Sequence, residues 1–359
     1  MTDILPPQMD ASGALPQAME VPAEGRPLTA GAAAPLASDA QALFGPILGE
    51  LAEFEERLEA SVAADLGPMA EAMRHIVRAG GKRIRPALVL LTSRLGDPLM
   101  DHVYNLAMGL EFIHTATLVH DDLIDRSPTR RGMSTLHETM GAAPAIIIGD
   151  YYFAKGANLT SAIGMPEIDV AISNTVMTIC MGELLQMTSK DDYHQSLEDY
   201  HRKIARKTAA LVATCCFCGG VVGGLDRDRR DALQRYGHKL GMAFQIADDL
   251  LDYVATEEEL GKPVGADLRQ GTVTLPFMLA FRDPVVGPEL ARVLERRPRG
   301  DPDYEQVVSL VRRSGAIAAT ERAAQEFARD ARGELAAFPP SPARTTLEAA
   351  CDYVVGRRI

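Results

Sequence analysis

From about residue 38 onward, almost every segment of the chain places its apolar residues at the period of an α-helix. In the first of these segments the period runs through Leu43, Ile47, Leu51, Phe54 and Leu58. Strand-like alternation bounded by turn residues is scarce. Aromatic residues make up only 5% of the chain and Trp is absent, so a core of small and aliphatic side chains is expected, which suits closely packed helices. The sequence therefore predicts an all-α fold in a single domain.

The predicted helices run near residues 68–79, 86–95, 101–125, 143–162, 167–189, 195–222, 226–253 and 273–282, with three more near the C-terminus. Residues 1–37 are rich in Ala, Pro and Gly and lack this periodicity, so they are predicted to form a disordered tail. The folded, all-helical domain is accordingly predicted to span residues 38–359.

The charge and the cysteines restrict the classes of function. A net charge of −12 and a pI near 5.2 argue against nucleic-acid binding and against a basic membrane-anchoring surface. Three of the five cysteines lie in TCCFCGG, with no second CxxC pair or partner histidines beside them. Together with the lack of a secretory leader, this favours buried thiols in a reducing cytoplasm. The apolar run AIIIGDYYFA is interrupted by Asp150, and no run is long enough to predict a transmembrane segment. A cytoplasmic protein is predicted, with peripheral membrane association left open.

The stretch from Glu111 to Gly132 is the end of an apolar helix, in which acidic residues are followed by basic ones. Residues four apart share a helix face, so Asp121 and Asp125 project together, with Asp122 beside them. Two carboxylates on one face make half of a magnesium site, because Mg²⁺ is usually held by one or two carboxylates together with substrate phosphates. The stretch therefore indicates a phosphorylated substrate.

The same spacing recurs in FQIADDLLDY, at Asp248, Asp249 and Asp252. Either triplet alone is about equally well explained as a solvated helix end. Together they indicate one shared ion cluster, because carboxylates that interrupt apolar runs are costly to bury without a cation or a metal. The aspartates of both triplets are therefore candidate metal ligands.

Cationic side chains flank the first motif. In AGGKRIRP, Lys82, Arg83 and Arg85 stand at a helix N-terminus whose backbone N–H groups already favour an anion, so this segment is a candidate diphosphate site. A basic helix start by itself is more often a solvated surface. Arg130 and Arg131 follow the first triplet and offer planar forks suited to phosphate oxygens.

Four further polar residues are candidates for binding a diphosphate. Lys207 and Thr208 precede an apolar run with small residues, although a lysine extended along a helix surface is an ordinary explanation for the first. Gln245 lies three residues before Asp248 on nearly the same face. Lys262 lies in the Gly-rich segment EELGKPVGADLRQG, and such loops let a backbone approach a ligand and close over it.

Taken together and in this order, GGKRIRP, HDDLIDRSPTRRG, RKTA, FQIADDLLDY and LGKPVGADLRQGTVTLP resemble the motifs of the trans-isoprenyl diphosphate synthases, or polyprenyl synthetases. The resemblance covers roughly residues 40–359. The two-residue spacing between Asp122 and Asp125 resembles the medium- and long-chain members of the family. The LGKPVGADLRQG region and the C-terminal segment resemble the catalytic component of heptaprenyl diphosphate synthases.

The resemblance implies an isoprenoid-synthase helical bundle around a deep central cavity, and it implies roles for the candidate residues. Three magnesium ions are expected, bound by the two motifs and foremost by Asp121, Asp125 and Asp248. The diphosphate of an allylic primer is expected to contact Arg130, Lys207, Thr208, Gln245 and Lys262. Isopentenyl diphosphate is expected to bind Lys82, Arg85, His114 and Arg131.

By the same resemblance, magnesium and the cationic side chains assist ionisation of the allylic carbon–oxygen bond. Isopentenyl diphosphate then attacks through its double bond, and loss of a proton completes each five-carbon step. Chain length follows from how far the apolar tail runs down the cavity. Ala116 lies just over one turn before Asp121 and leaves this path open, which favours a long product. Phe112 and Ile113 are equally well explained as the lower wall or as ordinary core residues.

One position departs from the family pattern, since Thr272 stands where many homodimeric relatives carry a lysine. The heptaprenyl catalytic component also lacks this lysine and requires a small unlike subunit. A homodimer and a heterodimer with a small regulatory subunit are therefore both open. The predicted function is synthesis of medium- or long-chain all-trans polyprenyl diphosphates for isoprenoid quinone side chains. The alternatives are a short-chain farnesyl or geranylgeranyl diphosphate synthase, a terpene cyclase, or a subunit inactive without an unlike partner.

Overall fold

The computed structural model describes residues 42–63, 76, 81–130, 132–256, 264–296 and 300–356. The predicted N-terminal tail, all but residue 76 of the helix predicted at 68–79, Arg131 and Lys262 lie outside these ranges. Within the described ranges the chain folds into helices and one two-stranded hairpin.

The helices are α1 (Leu48–Ala63), α2 (Ile84–Ser93), α3 (Met100–Ile124), α4 (Leu136–Met140), α5 (Ala142–Ser161), α6 (Pro166–Thr188), α7 (Leu197–Ile204), α8 (Ala210–Val222), α9 (Arg227–Val254), α10 (Ala266–Arg269), α11 (Leu275–Phe281), α12 (Gly287–Leu294), α13 (Asp301–Arg313), α14 (Ala316–Glu334) and α15 (Pro342–Gly356). Short 3₁₀ turns at Gly45–Ile47 and Leu335–Ala337 precede α1 and follow α14. Strands β1 (Thr129–Arg130) and β2 (Met133–Ser134) pair antiparallel. A π-helical turn at Ala205–Ala209 joins α7 to α8.

The predicted all-α fold is confirmed, and the long predicted helices agree with α2, α3, α5, α6 and α9 to within a few residues. The single helix predicted over 195–222 is interrupted by the π turn, and the loop after α3 contains the β1–β2 hairpin. In the part of the chain that is described, four helices rather than three follow Phe281. The helices α4 and α10 were not predicted, because elements this short contain too few residues to show a period.

Helix α9 holds the bundle together. Its N-terminal half belongs to one apolar core, with α2, α3, α5 and α8, and its C-terminal half belongs to a second core with α11, α12 and α13. In the first core α3 packs closely along α5, because a Cβ added at Gly156 would lie only 2.7 Å from the carbonyl oxygen of Gly109. All five cysteines are free, and four of them are buried. The C-terminal half of α9, which carries the second acidic motif, is thus packed into the second core.

By length and composition, two helical segments are apolar enough to cross a bilayer: α6 and the continuous segment Leu197–Val222. The second lies mostly inside the bundle, as a core helix does. Helix α6 is mostly exposed and turns Val170, Met177, Met181 and Leu184 toward solvent. In the single chain, α6 therefore carries an uncovered apolar face.

Candidate active site

The first acidic motif occupies the last turn of α3 and the residue that caps this helix. The Asp121 Oδ2 atom lies 3.8 Å from the Lys207 ammonium. Burial raises the pKa of Asp121 to about 6, and the Lys207 charge offsets this rise only in part. Asp125 caps α3 and lies 3.5 Å from the Lys190 ammonium. Both carboxylates thus have a lysine nearby, which makes their negative charge tolerable in a partly buried place.

Asp122 is buried and is bound by Arg130. The Arg130 Nε donates to both carboxylate oxygens, at 2.7 and 2.8 Å, and Nη2 lies 2.7 Å from Oδ1. The β1–β2 hairpin makes this contact, because it folds the chain back onto the end of α3. Burial raises the pKa of Asp122, while Arg130 opposes the rise. Asp122, predicted to bind a metal ion, and Arg130, predicted to bind a diphosphate, are therefore bound to each other in this structure.

The π turn brings Lys207 and Thr208 to both acidic motifs. The Lys207 ammonium forms an ion pair with Glu183 of α6 and lies beside Asp121 of α3. The Thr208 hydroxyl donates to Gln245 Oε1 of α9, at 2.7 Å. Because π turns insert one extra residue per turn, they redirect side chains and often occur at functional sites. The turn thus contacts both helices that carry the acidic triplets: Lys207 lies beside Asp121 of α3, and Thr208 bonds Gln245 of α9.

Asp249 lies at the centre of a buried hydrogen-bond network. The Tyr200 hydroxyl donates to its Oδ2 at 2.7 Å, and Gln245 Nε2 donates to its Oδ1 at 2.8 Å. Burial raises the pKa of Asp249 to about 8; the charge of Asp267 adds to the rise, and the two hydrogen bonds oppose it. Since Gln245 also accepts from Thr208, the network extends from the second motif to the π turn.

The other two members of the second motif differ in exposure. Asp252 is buried and accepts the backbone N–H groups of Ala266 and Asp267, at 3.2 and 3.1 Å. It thereby caps α10 and anchors the loop that follows α9. Asp248 is exposed on α9. Within the second triplet, Asp248 is thus the carboxylate that a ligand reaches most easily.

The basic side chains at the start of α2 differ in burial and in their partners. Arg83 is buried and pairs with Glu55 and Glu111, the latter at 2.7 Å. Its backbone lies in the left-handed region, with φ of 47°. Arg85 and Lys82 are half-buried, and the Arg85 Nε has no hydrogen-bond partner among the described residues. A buried guanidinium N–H of this kind suits an acceptor oxygen supplied by a ligand.

A pocket lies between α3 and the hairpin and encloses about 670 Å³, counting the part open to solvent. His114 lines it together with Arg83, Glu111, Asp122 and Arg130. Its remaining walls are mostly apolar. His114 therefore shares a pocket with the Asp122–Arg130 pair, whereas Lys82 and Arg85 are not among the side chains that line it.

The three residues predicted to set chain length are buried on α3. Phe112 stacks on Tyr152 of α5, with 5.3 Å between ring centroids, and Ile113 packs against Gly156. Ala116 is completely buried. Phe112 and Ile113 therefore contribute to the core between α3 and α5, and the role of all three in chain length stays a prediction.

Four polar residues at this site were not predicted from the sequence: Glu183, Lys190, Tyr200 and Lys203. Lys203 is buried, and its ammonium donates to the Val273 carbonyl oxygen at 3.3 Å. Tyr200, Lys203 and Lys207 are spaced three and four residues apart, a helix-face pattern that could have connected them. No local signal marks Glu183 or Lys190, because their partners lie on other helices.

Comparison with known proteins agrees with this fold. A family model described as polyprenyl synthetase matches residues 68–311. Over 319 residues the chain is 38% identical to heptaprenyl diphosphate synthase component 2 of Geobacillus stearothermophilus, covering 89% of this chain and 98% of that protein. The crystal structure of heptaprenyl diphosphate synthase from Staphylococcus aureus matches with a TM-score of 0.82 and 32% identity, covering 86% and 98% of the two chains.

A polyprenyl synthase from Caulobacter crescentus, crystallised with calcium and isoprenyl diphosphate, matches with a TM-score of 0.83 and 35% identity, covering 89% and 98% of the two chains. The fold and these relatives define the class of this protein, which is a prenyltransferase. Within that class, the chain belongs to the polyprenyl synthetase family. The resemblance carried by the sequence motifs is thereby confirmed.

Proposed function

We propose that this protein synthesises medium- or long-chain all-trans polyprenyl diphosphates by adding successive isopentenyl diphosphates to an allylic diphosphate primer. The products would supply the side chains of isoprenoid quinones, in the cytoplasm. The observation that carries the proposal is the π turn, whose Lys207 lies beside Asp121 and whose Thr208 bonds Gln245. One cationic turn thus lies against both acidic motifs, an arrangement suited to binding a single diphosphate between them.

The carboxylates of the site fit magnesium held jointly with a diphosphate. Within the described ranges no three His, Cys, Asp or Glu side chains are grouped so as to hold a metal ion. Asp121, Asp125 and Asp248 offer carboxylate oxygens, the hard donors that Mg²⁺ prefers, and the oxygens of a diphosphate would complete its coordination. When bound, magnesium, with three ions expected from the family pattern, offsets the charge of the diphosphate. Asp122, Asp249 and Asp252 would maintain the geometry of the two motifs through their hydrogen bonds to other residues.

The remaining polar residues would bind the two substrates. We assign the allylic diphosphate to Lys207, Thr208, Gln245, Arg130 and Lys262. Because the Arg130 guanidinium already donates to Asp122, it would have to bind the diphosphate with its remaining N–H groups or move away from Asp122. We assign isopentenyl diphosphate to Lys82, Arg85, His114 and Arg131. The Arg85 Nε, which has no hydrogen-bond partner among the described residues, supports this assignment.

The cationic side chains favour the departing diphosphate over the bound primer, so the allylic carbon–oxygen bond breaks. The double bond of isopentenyl diphosphate then forms the new carbon–carbon bond, and a proton leaves the product, to be accepted by the released diphosphate. Placing the two substrates side by side supplies the rate advantage, with no nucleophilic side chain required. Apolar walls protect the cationic carbon from water.

A short-chain product is the weaker alternative. Ala116 carries only a methyl group before the first motif, and the relatives described above are named heptaprenyl and polyprenyl synthases. The name "component 2" in one relative supports the proposal that this chain also works with a second subunit. We propose that the apolar face of α6, from Val170 to Leu184, is the subunit interface, with either a second copy or a small unlike subunit.

Product analysis tests the proposed function. The purified chain would be incubated with Mg²⁺, farnesyl diphosphate and labelled isopentenyl diphosphate, and the products separated by chromatography and weighed by mass spectrometry. A long all-trans diphosphate is expected. Asp121→Ala and Asp248→Ala should each reduce turnover by roughly a hundredfold or more, since each removes part of the metal clamp.

Asp228→Ala is the matched control, because Asp228 lies in the first turn of α9, at the end opposite Asp248. This variant should retain full turnover. Near-normal rates in Asp121→Ala or Asp248→Ala would refute the site assignment. A farnesyl or geranylgeranyl product, from shorter primers, would instead establish the short-chain alternative.

A further inference from the structure

Glu183 lies on the inner face of α6, where its carboxylate contacts the Lys207 ammonium. The side chain is only 12% exposed. Neither carboxylate oxygen makes a hydrogen bond to any other residue in the described part of the chain. Since a buried carboxylate needs a compensating charge, Lys207 is what makes Glu183 tolerable at this place.

The contact depends on a close approach of α6 to the π turn at Gly182. A Cβ added at Gly182 would lie 2.8 Å from the Lys207 backbone nitrogen and 3.0 Å from the Arg206 Cβ. Glycine therefore lets the backbone of α6 touch the turn, and the next residue, Glu183, reaches the Lys207 side chain. A glycine contact and a π turn, two separate features, thus place the same ion pair.

Lys207 lies between two carboxylates, with Glu183 in contact and Asp121 at 3.8 Å. Coulomb attraction falls with distance, so Glu183 holds the ammonium more strongly than Asp121 does. Without Glu183, the ammonium would be drawn onto Asp121 and would compete with a metal ion for its oxygens. With Glu183 in place, Asp121 stays available and Lys207 remains beside it.

We propose that Glu183 is a positioning residue that holds the Lys207 ammonium in place for the allylic diphosphate. This inference deepens the proposed function and rests on its assignment of Lys207 to that diphosphate. Glu183 does not touch the substrate; it fixes a long, flexible side chain before the ligand arrives, which reduces the cost of ordering it on binding. Removing Glu183 should therefore affect the allylic site and spare the isopentenyl diphosphate site.

The test is calorimetric titration of the full-length protein, in Mg²⁺, with farnesyl thiolodiphosphate, an allylic analogue that resists ionisation, and separately with isopentenyl diphosphate. The variants are Glu183→Ala, Glu183→Gln, Lys207→Gln and the double variant Glu183→Ala/Lys207→Gln. Glu198→Ala is the matched control, because Glu198 pairs with Arg202 on an exposed helix face.

We expect Glu183→Ala to weaken binding of the thiolodiphosphate about tenfold or more, since small displacements of a binding group have effects of this order. Binding of isopentenyl diphosphate should change by less than about twofold, as should both affinities in Glu198→Ala. Glu183→Gln should retain part of the affinity, because its amide oxygen still accepts from the ammonium. In the double variant the loss should equal that of Lys207→Gln alone, because Glu183 acts through Lys207.

Tighter binding of the thiolodiphosphate by Glu183→Ala would overturn the inference, because it would mean that Glu183 withholds Lys207 from the ligand. Equal losses for both ligands, or additive losses in the double variant, would overturn it as well. If Lys207→Gln weakens the thiolodiphosphate and Glu183→Ala does not, only the positioning role fails. If Lys207→Gln has no effect, the assignment of Lys207 within the proposed function fails first.

Discussion

Aspartates that are alike in the two motifs have different surroundings. Asp122, Asp249 and Asp252 are buried and already accept hydrogen bonds from side chains or backbone N–H groups of the protein. Asp121 has a lysine within 3.8 Å, and Asp248 is exposed. The first three are therefore expected to support the geometry of the site, whereas the last two are expected to meet the ligand. Substitutions that remove a donor to a buried aspartate test this division.

Tyr200→Phe removes the hydroxyl that donates to Asp249 at 2.7 Å. Because the buried Asp249 carboxyl group loses one of its hydrogen-bond donors, we expect the free energy of unfolding to fall by about 1–3 kcal/mol. We also expect turnover to fall about tenfold, since the Gln245 and Thr208 network loosens. Urea unfolding and steady-state kinetics measure the two effects. Tyr236→Phe is the control, because that buried hydroxyl donates to the Leu347 carbonyl oxygen of α15 at 2.8 Å and not to a motif residue.

The control should lose stability to a similar extent while keeping its turnover. Equal turnover in Tyr200→Phe and Tyr236→Phe would show that the hydrogen bond from Tyr200 to Asp249 does not support catalysis. The comparison separates a supporting role in catalysis from a general role in folding.

Ala116→Phe places a large ring one turn before the first motif, at a position that is completely buried. If the growing chain passes this residue, the ring blocks it, so the product should become shorter while the first condensation continues. Overpacking is expected to cost about 1–3 kcal/mol of stability, which thermal unfolding would show. Ala116→Val provides a smaller step, with an intermediate product length. An unchanged product length in both variants would mean that the chain runs elsewhere.

At the scale of elements, the π turn between α7 and α8 makes side-chain contacts with both helices that carry the acidic motifs. A regular α-helix over the same residues would rotate Lys207 and Thr208 relative to each other and to the flanking helices. In the observed turn, one side chain faces α3 and α6 while the next bonds α9. The close contact of α6 at Gly182 keeps the turn in this position.

Gly182→Ala should separate α6 from the π turn, because its Cβ would lie 2.8 Å from the Lys207 backbone nitrogen. We expect a loss of about 1–3 kcal/mol in unfolding free energy, as for other overpacked sites, together with a higher KM for the allylic primer. Gly333→Ala is the control, since the residue is helical and, outside its own helix, no atom of the described residues lies within 4 Å of a Cβ added there. That control should gain up to about 1 kcal/mol. Wild-type KM and stability in Gly182→Ala would contradict the close contact.

Glu334 fastens α14 to α9. Its carboxylate oxygens lie 2.8 Å from Arg235 Nε and 2.7 Å from Lys239 Nζ. Burial alone would raise the pKa of Glu334, but the hydrogen bonds from Lys239 and Arg235 outweigh burial and lower the pKa below its ordinary value of 4.5. A lowered carboxyl pKa adds stability above the unfolded-state pKa, and this stability disappears as the pH falls through the folded-state pKa.

Glu334→Gln should therefore be less stable than the wild type at pH 7, by about 1 kcal/mol, and the difference should vanish as the pH falls below the lowered pKa. Urea unfolding at a series of pH values measures it. Glu326→Gln, on the exposed side of the same helix, is the control and should show little difference at any pH. A difference that stayed constant with pH would show that the charge of Glu334 is not what stabilises the pair of helices.

At the scale of the whole molecule, the exposed apolar face of α6 is expected to be covered in solution. Met177 is 58% exposed in the single chain. A lysine there would be desolvated in an interface, so Met177→Lys should convert the assembly to single chains. Light scattering during size-exclusion chromatography measures the mass. Val285→Lys is the control, because Val285 is exposed in the loop between α11 and α12 and should tolerate a charge. A wild-type protein that runs as a single chain would contradict the interface.

Much of the fold follows from the sequence. The helical period specified the all-α class, because apolar residues three and four apart must share a buried face. The five motifs in their order, including the spacing of Asp121, Asp122 and Asp125 and its repeat in α9, carried the resemblance to the family, because each motif is a local pattern of residue types. The close contact at Gly182 and the π turn were not predicted, because a single inserted residue is too short a feature to stand out from the ordinary irregularities of an apolar pattern.

The tertiary structure decided which side chains meet. The Asp122–Arg130 pair depends on a hairpin, the Tyr200–Asp249 hydrogen bond joins residues 49 apart, and the Glu183–Lys207 pair depends on where α6 crosses the π turn. Such partners are set by how helices pack, and a carboxylate carries no local signal of which helix will face it. The sequence by itself therefore determined the helices and the motif aspartates, and the packed bundle determined the environment that separates the accessible aspartates from the buried ones.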